Sequence, residues 1–180
     1  MLAGFGGHLI SEHFLEQQLA QRSRPEPGAG TRSEFRRWRQ RQLLLGPASS
    51  VRTMLEAGAE PLVRLFGFEI VADVELSEDV ASATLRVGTS AILLVVARWG
   101  ERLDPLWRFA VVEGARRGAA WSLLFNGRHM RLVHTTRVFS RRYAEFDLDC
   151  AVDDDRTAAA MWTLLSADAL ASGVDSPRGS

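Results

Sequence analysis

Near the start of the chain, apolar residues recur at the spacing of an α-helix. Phe14, Leu15 and Leu19 follow Ser11, a residue type that caps helices well. The pattern therefore predicts a short amphipathic helix over residues 11–20. We expect this helix to form an arm outside the main domain.

The domain boundaries are predicted from segments that resist regular structure. Residues 23–33 are rich in proline and glycine and are expected to form a linker. Residues 1–33 would thus be a helical arm and linker, and residues 34–171 a single α/β domain. The polar tail over residues 172–180 is expected to be disordered.

Two further helices are predicted at the start of the domain. In the segment FRRWRQRQLLLG one helical stripe contains Phe35, Trp38, Gln42 and Leu45. A second helix is predicted over residues 49–66, where apolar residues again recur at near-helical spacing. Pro61 lies within it and is expected to kink or break it.

After Gly67 the apolar period changes from that of a helix to that of strands. The runs FEIVADVEL, SATLRVG and AILLVVARW are separated by short polar segments, which predicts a three-strand meander. Because AILLVVA is apolar at successive positions, we expect both of its faces to be covered, as in a central strand.

The second half of the domain alternates between helical and strand patterns. A helix is predicted over residues 104–117, with Leu106, Phe109, Ala110 and Val112 facing inward. Asn126-Gly127 between two apolar runs predicts a hairpin, since both residue types tolerate positive φ. A strand over residues 143–148 and a final helix capped by aspartates complete the pattern.

Composition narrows the class of protein without naming a function. The 180 residues form one domain with appendages, carry no net charge and contain one cysteine, Cys150, which excludes an internal disulfide. No apolar run approaches the roughly 20 residues of a membrane helix, so a cytoplasmic protein without a membrane partner is expected. The fold class predicted is an α/β sandwich: a central mixed sheet of meander plus hairpin, flanked by helices.

All 22 basic residues are arginines, a bias that high-GC coding alone can produce. Local clusters of arginine suggest contact with a polyanion such as DNA, and an ordinary solvated helix face is the alternative interpretation that stays open. The candidate DNA-binding residues are Arg36, Arg37, Arg39, Arg41, Arg128, Arg131, Arg141 and Arg142. The histidines and the run Asp153–Asp155 form no convincing metal set, and no metal site is predicted from them.

Several segments, in order, resemble the N-terminal region of bacterial type IIG-like restriction-modification DNA methylases. They are ISEHFLEQQL, LGPASSVRTMLEAGAEPLVRLFGFE, LLVVARWGERLDPLWR, WSLLFNGRHMRLV and SRRYAEFDLD. In that family a PD-(D/E)XK nuclease-like domain precedes an adenine-specific methyltransferase domain. The resemblance implies a restriction-endonuclease-like sandwich, DNA as a partner, and a methyltransferase domain or subunit as a possible second partner. S-adenosylmethionine would bind only to that methyltransferase.

The family's catalytic residues are not present at the matching positions. Val96 stands where the family has its metal-binding Glu, and Arg98 stands where it has its Lys. The preceding strand offers no Asp, so the resemblance implies a degenerate nuclease site without a cofactor. We therefore expect a DNA-contacting or structural domain that is not itself catalytic.

Two alternatives to this expectation stay open. One is a Mg²⁺-dependent endonuclease with a relocated site that uses Asp73, Glu75 or Glu101 together with Arg98. The other is an interaction module for a separate methyltransferase subunit, which would require a large exposed apolar surface.

Overall fold

The computed structural model describes residues 1–21, 27–135 and 142–171. Its strands are β1 (Phe5–Gly7), β2 (Glu69–Ile70), β3 (Glu75–Leu76), β4 (Val80–Val87), β5 (Ser90–Ala97), β6 (Trp121–Phe125), β7 (His129–His134) and β8 (Tyr143–Asp147). Its α-helices are α1 (Glu12–Gln21), α2 (Ala29–Arg41), α3 (Val51–Thr53), α4 (Glu60–Leu65), α5 (Trp107–Arg116), α6 (Leu148–Asp153), α7 (Asp155–Leu165) and α8 (Ala167–Ala171). A 3-10 turn, Gln42–Leu44, follows α2, and a π-helical turn, Met54–Ala59, joins α3 to α4.

The strands form one mixed sheet in the order β1-β8-β7-β6-β5-β4-β2, with β3 also paired to β4. Neighbouring strands are antiparallel except β5 and β6, which run parallel. Helix α5 lies between these two strands in the chain, as a parallel connection requires. The predicted α/β class with a mixed sheet is therefore confirmed.

Strand β5 lies inside the sheet and is covered on both faces, as its apolar sequence predicts. Alternate residues point to opposite faces of a strand. Leu94 and Val96 belong to the larger core, which α2, α4 and α7 also build. Leu93 and Val95 belong to a smaller core under α5. This double burial explains why almost every residue of the strand is apolar.

The first strand of the meander is interrupted, unlike the continuous strand that the sequence predicts. Strands β2 and β3 each pair with β4, but the residues between them leave the ladder. There the carboxylate of Asp73 accepts hydrogen bonds from the backbone N of Thr84 at 3.0 Å and from its hydroxyl at 2.5 Å. A side chain thus takes the place of a backbone partner, and the strand divides.

The N-terminal residues belong to the domain, in contrast to the expected arm. Strand β1 pairs with β8 at the edge of the sheet, and Leu15 of α1 is 1% exposed. Helix α2 begins at Ala29, inside the segment predicted to be a linker, because Gly28 provides an extended residue from which the helix can start. Helix α2 is thus continuous across residue 33, and β1 and α1 pack against the sheet and core that later residues build. Residues 22–26 and 172–180, which include part of the predicted linker and the tail, lie outside the described residues.

Helix α5 presents a different face to the sheet from the predicted one. Ala110 and Gly114 are buried, whereas Phe109 and Val112 are 36% and 60% exposed. The approach is close, since a Cβ on Gly114 would lie 2.7 Å from Cγ2 of Thr135. The small residues therefore select the buried face, and the prediction that Phe109 and Val112 point inward is wrong.

The β6–β7 turn and the C-terminal helices follow the predicted chemistry with two changes. Of the two turn residues Asn126 and Gly127, only Gly127 has positive φ, at 85°. The Asn126 side chain instead accepts hydrogen bonds from the backbone N of Arg128 and His129. The predicted C-terminal helix is divided into α7 and α8, and a short helix that was not predicted, α6, precedes them. Asp147 caps α6 and Asp154 caps α7.

Candidate nucleic-acid interface

Helix α2 is fixed to the π-helical turn by two side chains from its buried stripe. Pro61 has no N–H, so the carbonyl of Ala57, four residues earlier, lacks the usual helical donor. Gln42 donates to this carbonyl from Nε2 at 2.8 Å, and Trp38 donates from Nε1 to the carbonyl of Gly58 at 2.9 Å. These bonds fix the rotation of α2 about its axis.

Aromatic packing on the buried side of α2 fixes the same rotation of the helix about its axis. Phe35 and Trp38 are fully buried and stack with ring centroids 5.8 Å apart. Phe35 also meets Trp162 of α7 edge to face at 5.2 Å, and Trp38 contacts Phe125 of β6 at 6.3 Å. Because these four rings lie on the inner side of α2, its arginines are held on the two flanks and on the outer surface.

The flank of α2 that faces α6 and α7 is neutralised by carboxylates. Arg32 forms an ion pair with Asp155, and Arg39 forms one with Asp149 at 2.7 Å. Arg39 also donates to the carbonyl of Gly127 at 2.7 Å, and its side chain is only 11% exposed. The hydrogen bond from Arg39 lowers the pKa of Asp149, against the opposing effect of burial. Arg39 therefore has a structural role and is a poor candidate for contact with DNA.

The outer surface and opposite flank of α2 carry arginines that have no acidic partner within the described residues. Arg36, Arg37 and Arg41 are exposed. Two of them, Arg37 and Arg41, line a cleft of about 440 Å³ between α2 and α4. Arg64 of α4 also lines this cleft, although it pairs with Glu60 at 2.7 Å. The one carboxylate that lines the cleft is that of Glu34.

The candidate arginines that follow Gly127 in the chain do not form one exposed surface, because Arg131 is buried. Arg131 is buried and pairs with Asp104 at 2.8 Å and with Glu145 at 2.6 Å, while its guanidinium lies 3.8 Å from the ring centroid of Tyr143. Its hydrogen bond lowers the pKa of Asp104. A guanidinium with these partners is not free to bind phosphate. Arg128 is exposed on the β6–β7 turn.

Of the remaining members of this cluster, Arg142 is exposed just before β8. Arg141 lies outside the described residues, so it is not assigned to the interface. The accessible candidates are therefore Arg36, Arg37, Arg41, Arg128 and Arg142.

The positions that match the nuclease motif are not arranged as a catalytic site. Val96 is completely buried in the larger core. Arg98 lies beyond the last residue of β5, and its guanidinium is 3.9 Å from the carboxylate of Asp79. Residues two apart on a strand share a face, but this strand ends at Ala97, so the sheet does not hold residues 96 and 98 on a common face.

The acids of the relocated metal site are held by arginines. Arg117 is 6% exposed and contacts Asp73 at 2.8 Å, Glu75 at 3.7 Å and Glu113 at 3.4 Å. Burial alone would raise the pKa of Asp73, but hydrogen bonds from Thr84 and the charge of Arg117 lower it. A guanidinium thus occupies the space between the carboxylates, a partner that the sequence analysis missed.

Glu101 does not join these acids. It lies in the exposed loop after the C-terminal end of β5, whereas Asp73 contacts Thr84, which pairs with Leu93 near the middle of β5. Within the described ranges, no group of three or more His, Cys, Asp or Glu residues could hold a metal ion. The geometry therefore does not favour the relocated nuclease site.

Comparison of the chain with protein-family models, curated protein sequences and solved structures finds no match. In the part of the chain that the structure describes, no helix is both long enough and apolar enough to cross a membrane. The geometry of the arginines is thus the main guide to function.

Proposed function

We propose that this chain is a DNA-contacting domain of a restriction-modification DNA methylase, with a nuclease site that has lost its chemistry. The observation that carries the proposal is the set Arg36, Arg37 and Arg41, exposed on a rigidly held helix and without an acidic partner in the described residues. In this proposal DNA is one partner and a methyltransferase domain or subunit is the second.

The order of elements supports a restriction-endonuclease-like fold. After β1, a helical segment precedes a meander of the divided strand β2–β3, β4 and β5, then α5 follows, and β6, β7, β8 and further helices complete the domain. This is the order of the PD-(D/E)XK core to which the sequence segments are similar. The absence of a carboxylate at Val96 agrees with a domain that contacts DNA without cleaving it.

Arginine on a fixed helix suits a phosphate backbone. Its planar guanidinium can donate two parallel hydrogen bonds to phosphate oxygens, and each contact releases condensed counterions from the DNA. On one flank of α2, Arg32 and Arg39 are neutralised by Asp155 and Asp149. The positive charge that DNA could meet is therefore on the opposite side of the helix. A neutral protein can therefore present a locally basic surface.

Fluorescence anisotropy with labelled duplexes of unrelated sequence tests the proposal. We expect binding that weakens steeply between roughly 50 and 200 mM salt and depends little on sequence. The Arg36→Gln/Arg37→Gln/Arg41→Gln variant should reduce the slope of log affinity against log salt by about 0.9 for each phosphate that these arginines neutralise.

A matched control is Arg52→Gln, because Arg52 is 65% exposed and pairs with Glu56 within one helical segment. It should bind DNA as the unmodified protein does. Undetectable binding at low salt, or equal salt slopes for the triple variant and the control, would contradict a DNA-contacting role for α2.

A further inference from the structure

Two neighbouring leucines project into solvent immediately after the basic helix. Leu43 and Leu44, in the 3-10 turn after α2, are 83% and 89% exposed. Among the described residues, the only large hydrophobic residue with higher exposure is the terminal Met1. Isolated exposed leucines are common, but two adjacent ones at this exposure form a defined apolar projection.

The projection is rigidly mounted. Gln42, the first residue of the turn, is 1% exposed and is bonded to the carbonyl of Ala57. The turn is closed by the hydrogen bond from the backbone N of Leu45 to the carbonyl of Gln42 at 3.0 Å. Leu43 and Leu44 are thus held in place by neighbours on both sides, rather than placed on a loose loop.

The surroundings of the projection are basic. Between Phe35 and Leu55 the sequence contains five arginines and no acidic residue, and three of these arginines remain after Arg39, which pairs with Asp149, and Arg52, which pairs with Glu56, are set aside. Arg41 precedes the turn directly and, with Arg37, is exposed and without an acidic partner in the described residues. A partner of this surface must therefore be anionic on its outside and apolar where the leucines enter it.

We infer that Leu43 and Leu44 form a wedge that inserts between stacked base pairs of the DNA while the arginines of α2 hold the backbone. Stacked bases are the apolar interior of a polyanion, and leucine is among the residues that unstack base steps and kink a duplex. This inference rests on the proposed DNA-contacting function and adds a deformation of the duplex to it.

The observations favour DNA over a protein partner for this surface. Two side chains on a tight turn are a projection and not a groove, and they are too few to form the core of a stable interface of about 800 Å² on each partner. Duplex DNA suits both sets of residues, because its anionic backbone can bind the arginines and the space between two stacked base pairs can take the leucines.

Relaxation of a closed circular plasmid by a type I topoisomerase, with and without bound protein, tests the wedge without requiring a known binding sequence. Unstacking a base step untwists the duplex, so the unmodified protein should leave a lower linking number after it is removed. Leu43→Ala/Leu44→Ala should abolish this change, whereas its affinity should stay within about threefold because the phosphate contacts remain.

Two controls keep the result interpretable. Val112→Ala removes an exposed apolar residue from α5 and should unwind DNA as the unmodified protein does. Leu43→Met/Leu44→Met keeps the apolar volume and should retain the change in linking number. Since both leucines are exposed, the melting temperatures of these variants should be unchanged.

The possible failures can be told apart. A protein that binds DNA but leaves the linking number unchanged overturns the wedge alone, as does an alanine variant that still unwinds DNA. A protein that does not bind DNA overturns the proposed function together with the wedge. Self-association that disappears in the alanine variant would instead assign the leucines to contact between copies of this chain.

Discussion

The Gln42 side chain donates to the carbonyl of Ala57 the hydrogen bond that a backbone N–H supplies in most helices. The proline at position 61 cannot donate to that carbonyl, and the Gln42 side chain, which is 1% exposed, replaces the missing donor. The glutamine therefore compensates for a defect in a helix other than its own. This dependence joins α2 to the segment between α3 and α4.

Replacement of Gln42 by methionine should lower the free energy of unfolding by about 1–3 kcal/mol, because a buried carbonyl loses its donor while the side-chain volume is kept. Urea denaturation measures this change. Gln40→Met, on the exposed side of α2 two residues before Gln42, is the control and should change stability little.

The cost of Gln42→Met should be smaller in a Pro61→Ala background, because an alanine at position 61 restores the N–H with which the π-helical turn could change to α-helical bonding and supply Ala57 with a backbone donor. Equal costs in both backgrounds would mean that Gln42 stabilises the fold in another way.

The predictions for single residues succeeded where the local helical period decides whether a side chain is buried. They failed where the role of a side chain depends on a partner far away in the sequence. Phe35, Trp38 and Gln42 are buried as the helical stripe predicts. Leu43 and Leu44 lie off that stripe, which is a signal of exposure in the sequence itself. Ion pairs such as the one between Arg39 and Asp149 could not be predicted, because they join residues more than a hundred positions apart.

At the scale of elements, the N-terminal helix is the clearest departure from the sequence analysis. The proline- and glycine-rich segment after α1 predicts that this helix is an arm. Its Leu15 is nevertheless 1% exposed and belongs to the larger core. A linker composition limits the structure of the linker and says nothing about what the preceding helix packs against.

Leu15→Ala should therefore lower the free energy of unfolding by about 2–5 kcal/mol, the cost of a cavity in a packed core. Phe14→Ala is a suitable control, since Phe14 is 36% exposed on the same helix and should cost much less. Both values follow from thermal or urea denaturation. If both substitutions had equally small effects, α1 would be an arm outside the core, as the sequence predicts.

Most other elements could be predicted because each has a strong local period. Strands β4, β5, β6 and β7 overlap the predicted runs, and the parallel connection through α5 follows from their order. The division of the first strand was not predictable, because the bonds from Thr84 to Asp73 depend on the register of strands in the folded sheet. The inward face of α5 is set by Gly114, which a count of apolar residues overlooks.

At the scale of the whole molecule, a net charge of zero conceals an uneven arrangement. Carboxylates such as Asp104, Glu113 and Asp149 are paired with arginines that are themselves mostly buried, whereas the accessible arginines of α2 have no such partner in the described residues. The candidate interface was predictable as a set of arginines. Which of them are free could be learned only from the fold.

The paired carboxylates should make stability depend on pH in the acidic range. Hydrogen bonds from arginines lower the pKa values of Asp104, Glu113 and Asp149 from ordinary values of 3.8 for Asp and 4.5 for Glu. A carboxylate with a lowered pKa in the folded chain stabilises the fold above its unfolded pKa, and this contribution is lost as the pH falls through the folded pKa.

The free energy of unfolding should accordingly decline as the pH falls below these ordinary values. Urea denaturation at a series of pH values measures it. In Arg39→Met the contribution of Asp149 should decrease, since Arg39 is the main cause of its lowered pKa, so that stability is lower near neutral pH and declines less in acid. Stability that rises as the pH falls, or an unchanged profile in Arg39→Met, would contradict this account.

The two ends of the sheet have a consequence for the behaviour of the protein at high concentration. Within the described residues, the sheet ends at β1, with three residues, and on the other side at β2 and β3, with two residues each. Edges this short offer few unpaired backbone groups to a strand of another molecule. Although its interior strands are highly apolar, the folded protein should thus resist the edge-to-edge stacking that starts fibre formation.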